Sequence, residues 1–324
     1  MNKKMRWVPL LLVLTLLTVW RPGFAQEKFP SKPITIIVSW APGGGMDLNA
    51  RTLQPLIEKN LGQSVIIMNK KGGGGTIGFT AGAKAPPDGY TVTLLSASVV
   101  TTPYTVSPKI SYLNYEPLIF GGFCPGTLTV RNDAPWKTAK DFLDYARANP
   151  EKVRMSNSGH NGSQHFRTVG VELAANVKFT HVPFRGTAPA LMALVGGHVE
   201  GICAGVSDGV QLVKAGKLKV LAVASPERMP LIPDVPTFKE LGMDFENGTW
   251  YAYVLPKGTP KERVNIVYDA FKKAMGTPEY IEYAETHAII RWGKLGLKDL
   301  IKFFEEEDKK WVKLLDAAGV KRLK

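Results

Sequence analysis

Cysteine is almost absent from this chain. Cys124 and Cys203, in "GGFCPG" and "EGICAG", are the only two among 324 residues, too few for a disulfide framework, and neither has a histidine at a zinc-binding spacing. Both lie in apolar, strand-like runs, so buried free thiols are expected, although an exported protein would permit a bridge. The five histidines (His160, His165, His181, His198, His287) include no H-E-x-x-H pair, which leaves out the helical zinc-hydrolase pattern. No glycine loop carries the G-x-x-x-x-G-K-[ST] order of a P-loop. Paired catalytic carboxylates are also missing. No repeat, low-complexity tract or long linker divides the chain.

Acids are scarce relative to bases, 28 against 41, for a net charge of +13. The lysines are spread through helical stretches and the C-terminal tail, without the dense basic run or interleaved aromatics of a nucleic-acid channel. No nucleic-acid partner is expected; the charge reads as a solvated surface that attracts anions.

At the N-terminus Lys3, Lys4 and Arg6 precede an apolar run from Val8 to Trp20, then Arg21-Pro22 and the small-residue site Gly23-Phe24-Ala25. The pattern predicts a signal peptide over 1–25 and export, because 13 apolar residues fall short of the roughly 20 that span a bilayer. Cleavage removes four bases and no acids, so the charge becomes 37 − 28 = +9. The remaining 299 or so residues exceed what one hydrophobic core usually serves, which predicts two domains.

β-rich runs such as "ITIIVS" (34–39), "SVIIM" (64–68), "YTVTLLS" (90–96), "GTLTVR" (126–131) and "LKVLAVA" (218–224) alternate with helical segments at 47–61, 138–148, 163–175, 187–196, 260–275 and 297–317. The class is α/β with mainly parallel sheets. Pro55 inside 47–61 predicts a kink or a late start for that helix. Without a linker, the chain is expected to cross between domains more than once, near 123–126 and 245–250, with roughly the last 70 residues returning to the first domain.

Three loops follow a strand and open a helix, where free amides and the helix dipole favour anions. "PGGG" offers Gly43, Gly44 and Gly45, although Asp47 could instead cap those amides itself. "KKGGGGTIG" contains a formal G-x-G-x-x-G at Gly73, Gly75 and Gly78, but the acid that would hold a ribose about 20 residues on is missing, so a dinucleotide is disfavoured and no cofactor is expected. "SNSGHNGSQHF" supplies Ser158, Asn161, Gly162 and Ser163, which suit either a carboxylate or ordinary capping. Arg185, ahead of the next helix, is an anion partner or a surface side chain. A secreted hydrolase using His165 with Ser158 or Ser163 is the rival reading, and a binder without catalytic residues the favoured one.

With these residues in view, the chain resembles the Bug-type periplasmic solute-binding proteins of tripartite tricarboxylate transporters. The resemblance runs from "FPSKPITIIVSWAPGGGMDLNAR" through "GQSVIIMNKKGGGGTIG", "HVPFRGTAPALMALVGGHVEG" and "AGKLKVLAVASPERMPLIPDVPTFKELG" to "DAAGVK", essentially the whole mature chain. It implies a two-domain flytrap fold, with 26–124 plus 246–324 as one domain, 125–245 as the other, and a small organic carboxylate in the cleft. It further implies that Gly43, Gly44, Gly45, Gly74, Gly75 and Thr76 contribute from one side, that Ser96 and Ser98 face the cleft, and that Ser158, Gly162 and Ser163 hold from the other. The implied setting is the periplasm, with a monomer serving integral-membrane permease subunits; a sensory partner is the alternative. Trp40, Met46 and "NKKGGGG" depart from the family's usual residues, and Trp40 either stacks on an aromatic acid or packs beneath its loop.

Overall fold

The computed structural model describes residues 28–107, 109–290 and 297–323; the expected signal peptide, 1–25, lies outside them. Two five-stranded sheets organise the chain. In the first, β1 (Ile34–Val38) is flanked by β2 (Val65–Asn69) and β3 (Thr91–Leu95), and the sheet continues through β10 (Gly248–Pro256) to β4 (Tyr115–Pro125). In the second, β6 (Arg154–Asn157) lies between β7 (Thr180–Pro183) and β8 (Gly201–Ile202), followed by β5 (Thr127–Arg131) and β9 (Leu218–Val223). Each sheet contains two parallel and two antiparallel pairings, since β10 and β5 run against their neighbours. The sheets are therefore mixed, with four of five strands sharing a direction in each.

Helices cover both sheets. The first carries α1 (Gly45–Leu61), α2 (Thr76–Ala83), α3 (Ser98–Thr105), α8 (Lys261–Met275), α9 (Pro278–Thr286) and α10 (Leu297–Ala317). The second carries α4 (Ala139–Ala148), α5 (Ser163–Ala175), α6 (Thr187–Val195) and α7 (Val206–Lys214). Local chemistry accounts for several starts. Thr138 accepts from the Asp141 amide at 3.1 Å while Asp141 accepts from the Thr138 amide at 3.0 Å, a reciprocal cap for α4. At α9, Thr277 caps the Tyr280 amide and Pro278 occupies the first turn, where its missing N–H costs nothing.

Pro55 does not delay α1, which runs from Gly45 to Leu61. Pro55 lies on the exposed face, so water can satisfy the carbonyl that a proline leaves unpaired. Three elements are absent from the sequence reading: β4, α3 and α7. "YEPLIFGGFCP" is interrupted by prolines and a glycine pair, and its ladder to β10 shifts register twice, so no clean period of two survives. In "SVVTTPYT" β-branched residues and Pro103 mask a helix, and "VSDGVQLVK" is short and holds Gly209.

The chain leaves the first sheet at Pro125 and enters the second at Thr127; it returns beside the same point, where the Gly126 amide donates to Asn247 O at 2.9 Å. Beneath this crossing sits Arg167, 1 % exposed. Its Nε donates to Asn247 Oδ1, its Nη2 to Thr249 Oγ1 and its Nη1 to Cys203 O. α10 packs on α3 and β4 and also reaches α5, with Glu307 accepting from both Trp250 and Trp311 indoles. Cys124 and Cys203 are free and buried, as their apolar settings imply. Among the described residues, no helix is long and apolar enough to cross a membrane.

Candidate functional site

In each sheet the loops after the parallel strands emerge at the strands' carboxyl ends, where α/β folds place their ligands. The β1–α1 turn is the first wall. Gly43 has φ +83°, and its amide donates to Asp47 Oδ2 at 2.9 Å. Asp47 also accepts from Arg51 Nε at 2.9 Å and from Asn69 Nδ2 at 2.8 Å. Burial works to raise its pKa, but the hydrogen bonds from Arg51, the Gly43 amide and Asn69 outweigh burial and hold it below the usual carboxylate range. Asp47 therefore braces the turn from within, and the Gly43 amide is already engaged.

The second glycine loop owes its composition to backbone shape and to a close approach. Gly72, Gly73, Gly74 and Gly75 all have positive φ, a run that only glycine adopts readily. A Cβ on Gly74 would stand 3.0 Å from His160 O and 3.3 Å from Gly162 N. The two halves of the molecule thus meet here backbone to backbone, and Gly75 lies against Phe79 and Trp40.

A third wall comes from the second sheet. The Ser163 amide, at the start of α5, donates to Ser98 Oγ at 2.9 Å, and Ser98 Oγ donates to Ser163 Oγ at 3.1 Å. Asn161 has φ +60°, and its Nδ2 donates to Thr105 O at 3.4 Å. From α7, Asp208 accepts the Gly45 amide on Oδ1 and the Gly205 amide on Oδ2, both at 2.9 Å. Burial raises the Asp208 pKa, opposed in part by those amides and by the charge of Arg167.

These walls enclose an inner pocket with about 390 Å³ of empty space, including its mouth. Of the residues expected at the site, Gly44, Gly45, Ser96, Ser158 and Ser163 line it. An outer pocket of about 870 Å³, also open to solvent, is lined by Gly74, Ser158 and Arg185, with Lys71 and His160. Gly43, Gly75, Thr76, Ser98, Asn161 and Gly162 line neither; they shape the turns and the seam. Gln164, Thr187, Asp208 and Thr249 line the inner pocket without having been proposed for it from sequence, and Met46, noted there as a departure from the family's residues, lines it too. Trp40 packs edge-on against Phe79, with centroids 6.5 Å apart, and its remaining surface borders both pockets.

Two polar atoms on the inner lining are buried without a hydrogen-bond partner, Ser96 Oγ and Gln164 Oε1; their residues are 2 % and 4 % exposed. Buried polar groups are normally paired, so both atoms have hydrogen-bonding capacity to offer a polar group in the pocket. His165 has the opposite character. Burial, then His181 and His160, push its pKa down to about 3, and its Nδ1 has no hydrogen-bond partner. A catalytic imidazole needs a group that fixes its tautomer, and this one packs between two other rings, with centroids 4.9 Å and 4.7 Å away. Among the described residues, no cluster of His, Cys, Asp or Glu suits a metal ion.

Comparison with known proteins adds a family. The tripartite tricarboxylate transporter family receptor matches residues 49–320. A UPF0065 protein in the gbd 5' region of Cupriavidus necator is 36 % identical over 265 residues, 81 % of this chain and 80 % of the relative. The structure of the periplasmic binding protein BugD superposes with a TM-score of 0.87 at 31 % identity, covering 90 % of this chain and 99 % of BugD. MatC from Rhodopseudomonas palustris, solved with bound malate, superposes at 0.83 and 29 % identity, covering 89 % and 100 %.

Proposed function

The chain belongs to the tripartite tricarboxylate transporter receptor family, and from that premise we propose that it captures a small organic carboxylate between its two sheets and presents the closed form to integral-membrane permease subunits in the periplasm. The observation that carries this reading is the inner pocket's pair of buried, unpartnered atoms, Ser96 Oγ and Gln164 Oε1, one from each half of the molecule. A solute bonded to both gains more from the closed form than from the open one, which is the condition for ligand-driven closure. The bound malate of MatC supports the carboxylate class.

In this reading the first domain comprises 26–124 plus 246–324 and the second 125–245, supported by the sheet change between Pro125 and Thr127. Gly44, Gly45, Ser96, Ser158 and Ser163 contact the solute directly. Gly74 and Arg185 border its entrance, and Gly43, Gly75, Thr76, Ser98, Asn161 and Gly162 hold the contacting loops in shape. The protein has no turnover; His165 is a packing residue.

Titration calorimetry of the purified mature protein against a panel of mono-, di- and tricarboxylates is the test. One binding site per chain is the expected result, and a panel without heat or thermal stabilisation overturns the receptor reading. Uptake of the ligand so found, lost from cells lacking this chain and restored by it, tests the transport role.

A further inference from the structure

We infer that the inner pocket selects a carboxylate that also carries a cationic amino group, and that Asp208 receives that group. The inference rests on the receptor reading above and narrows its ligand. Among the described residues, Asp208 is the one charged side chain lining the inner pocket. Each of its oxygens accepts a single amide, Gly45 on Oδ1 and Gly205 on Oδ2, so each retains acceptor capacity. Gln164 adds a second acceptor. With its Nε2 donating to Thr187 Oγ1 at 3.4 Å, Oε1 is the atom left unpartnered on the lining.

A ligand carboxylate finds several of the turn amides around this pocket already engaged. The Gly43, Gly45 and Ser163 amides are held by Asp47, Asp208 and Ser98. A ligand carboxylate aimed at Gly45 would also approach the Asp208 carboxylate, and like charges at such a distance oppose one another. Arg167 does not cancel that charge by direct contact, because its donors go to Asn247, Thr249 and Cys203 O. The outer pocket has the complementary sign, with the exposed bases Lys71 and Arg185 on its lining. Across the cleft the charge runs from acidic inside to basic outside, which fits a zwitterion with its ammonium inward and its carboxylate outward.

Calorimetric titration of the mature protein with matched pairs tests this: aspartate against succinate, glutamate against glutarate, alanine against propionate. The native protein is expected to bind at least one amino member about tenfold or more tightly than its des-amino partner, the size of one charged hydrogen bond. Asp208→Asn should shrink that ratio to below about threefold. Native protein that binds the des-amino members equally well or better overturns this inference and leaves the receptor reading standing, a result that needs no variant to fold. A preference unchanged in Asp208→Asn overturns the assignment to Asp208. No binding by any member of either series overturns the inference, and the receptor reading falls with it only when the tricarboxylates of the wider panel also fail to bind.

Discussion

The amide of Gly45 donates to Asp208 Oδ1 at 2.9 Å, joining two helix starts that lie 163 positions apart in the chain. A carboxylate of the protein's own thus rests on the glycine turn that the sequence marks as an anion cradle. Because burial raises the Asp208 pKa, the folded chain binds its proton more tightly than the unfolded chain does, and stability at this site falls as pH rises through the window above 3.8. Asp208→Asn should therefore gain stability relative to the native protein between about pH 4 and pH 7, read from urea midpoints. A gap that is constant across pH contradicts this.

Asp47 behaves in the opposite sense. Its pKa is depressed, so its contribution is present above the unfolded value and is lost as pH falls through the folded one. Asp47→Asn should cost about 1–2 kcal/mol near neutrality, the scale of a cap and a partly exposed ion pair. That cost should fade in acid, as thermal or urea unfolding at several pH values would record.

Gly74→Ala probes the seam. The added methyl meets His160 O at 3.0 Å while the residue keeps φ +63°, which costs about 1–2 kcal/mol in backbone strain alone. The larger expected effect is on closure, with ligand affinity falling about tenfold or more and a larger radius of gyration in small-angle scattering with ligand present. Affinity equal to that of the native protein would show that the halves need not meet at Gly74.

Arg167 is buried with three hydrogen-bond acceptors around it. Arg167→Leu strands those acceptors, and at about 1–3 kcal/mol for each buried group left unpaired the total should reach at least about 3 kcal/mol in urea unfolding.

His165 separates receptor from enzyme. Held neutral by burial, with a pKa near 3, it contributes stability that is full above the unfolded value and is lost as pH falls toward 3. His165→Gln should flatten that acid-side loss and leave ligand affinity within about threefold. Loss of a measurable turnover in the variant would instead establish catalysis.

Much of the fold was legible because strands buried on both faces read as continuous β-branched runs, as "ITIIV" does, and because glycine turns announce the starts of α1 and α5. The site was legible only in part. Gly44, Gly45, Ser158 and Ser163 sit where strand-to-helix loops led and Ser96 where the family resemblance led, but Asp208 follows the two-residue strand β8 on a short helix. Nothing local ties it to Gly45. Gln164 is adjacent to a predicted residue, yet only the packed structure shows its Oε1 without a partner. The second glycine loop was read for amides that grip a ligand, whereas its shape answers to the backbone at His160 and Gly162.

The side-by-side crossing at Gly126 and Asn247 sets how the two halves can move. Two adjacent strands, hydrogen-bonded to one another and seated on Arg167, resist stretching and shear but yield to twist, so the opening proposed above would be a rotation about one short axle. On that reading the crossing is the short arm of a lever: a small torsion there would become a wide gap at Gly74 and His160, while the wall beside Thr249 would hardly shift. Paired spin labels near Lys71 and Arg185 would report that amplitude most directly.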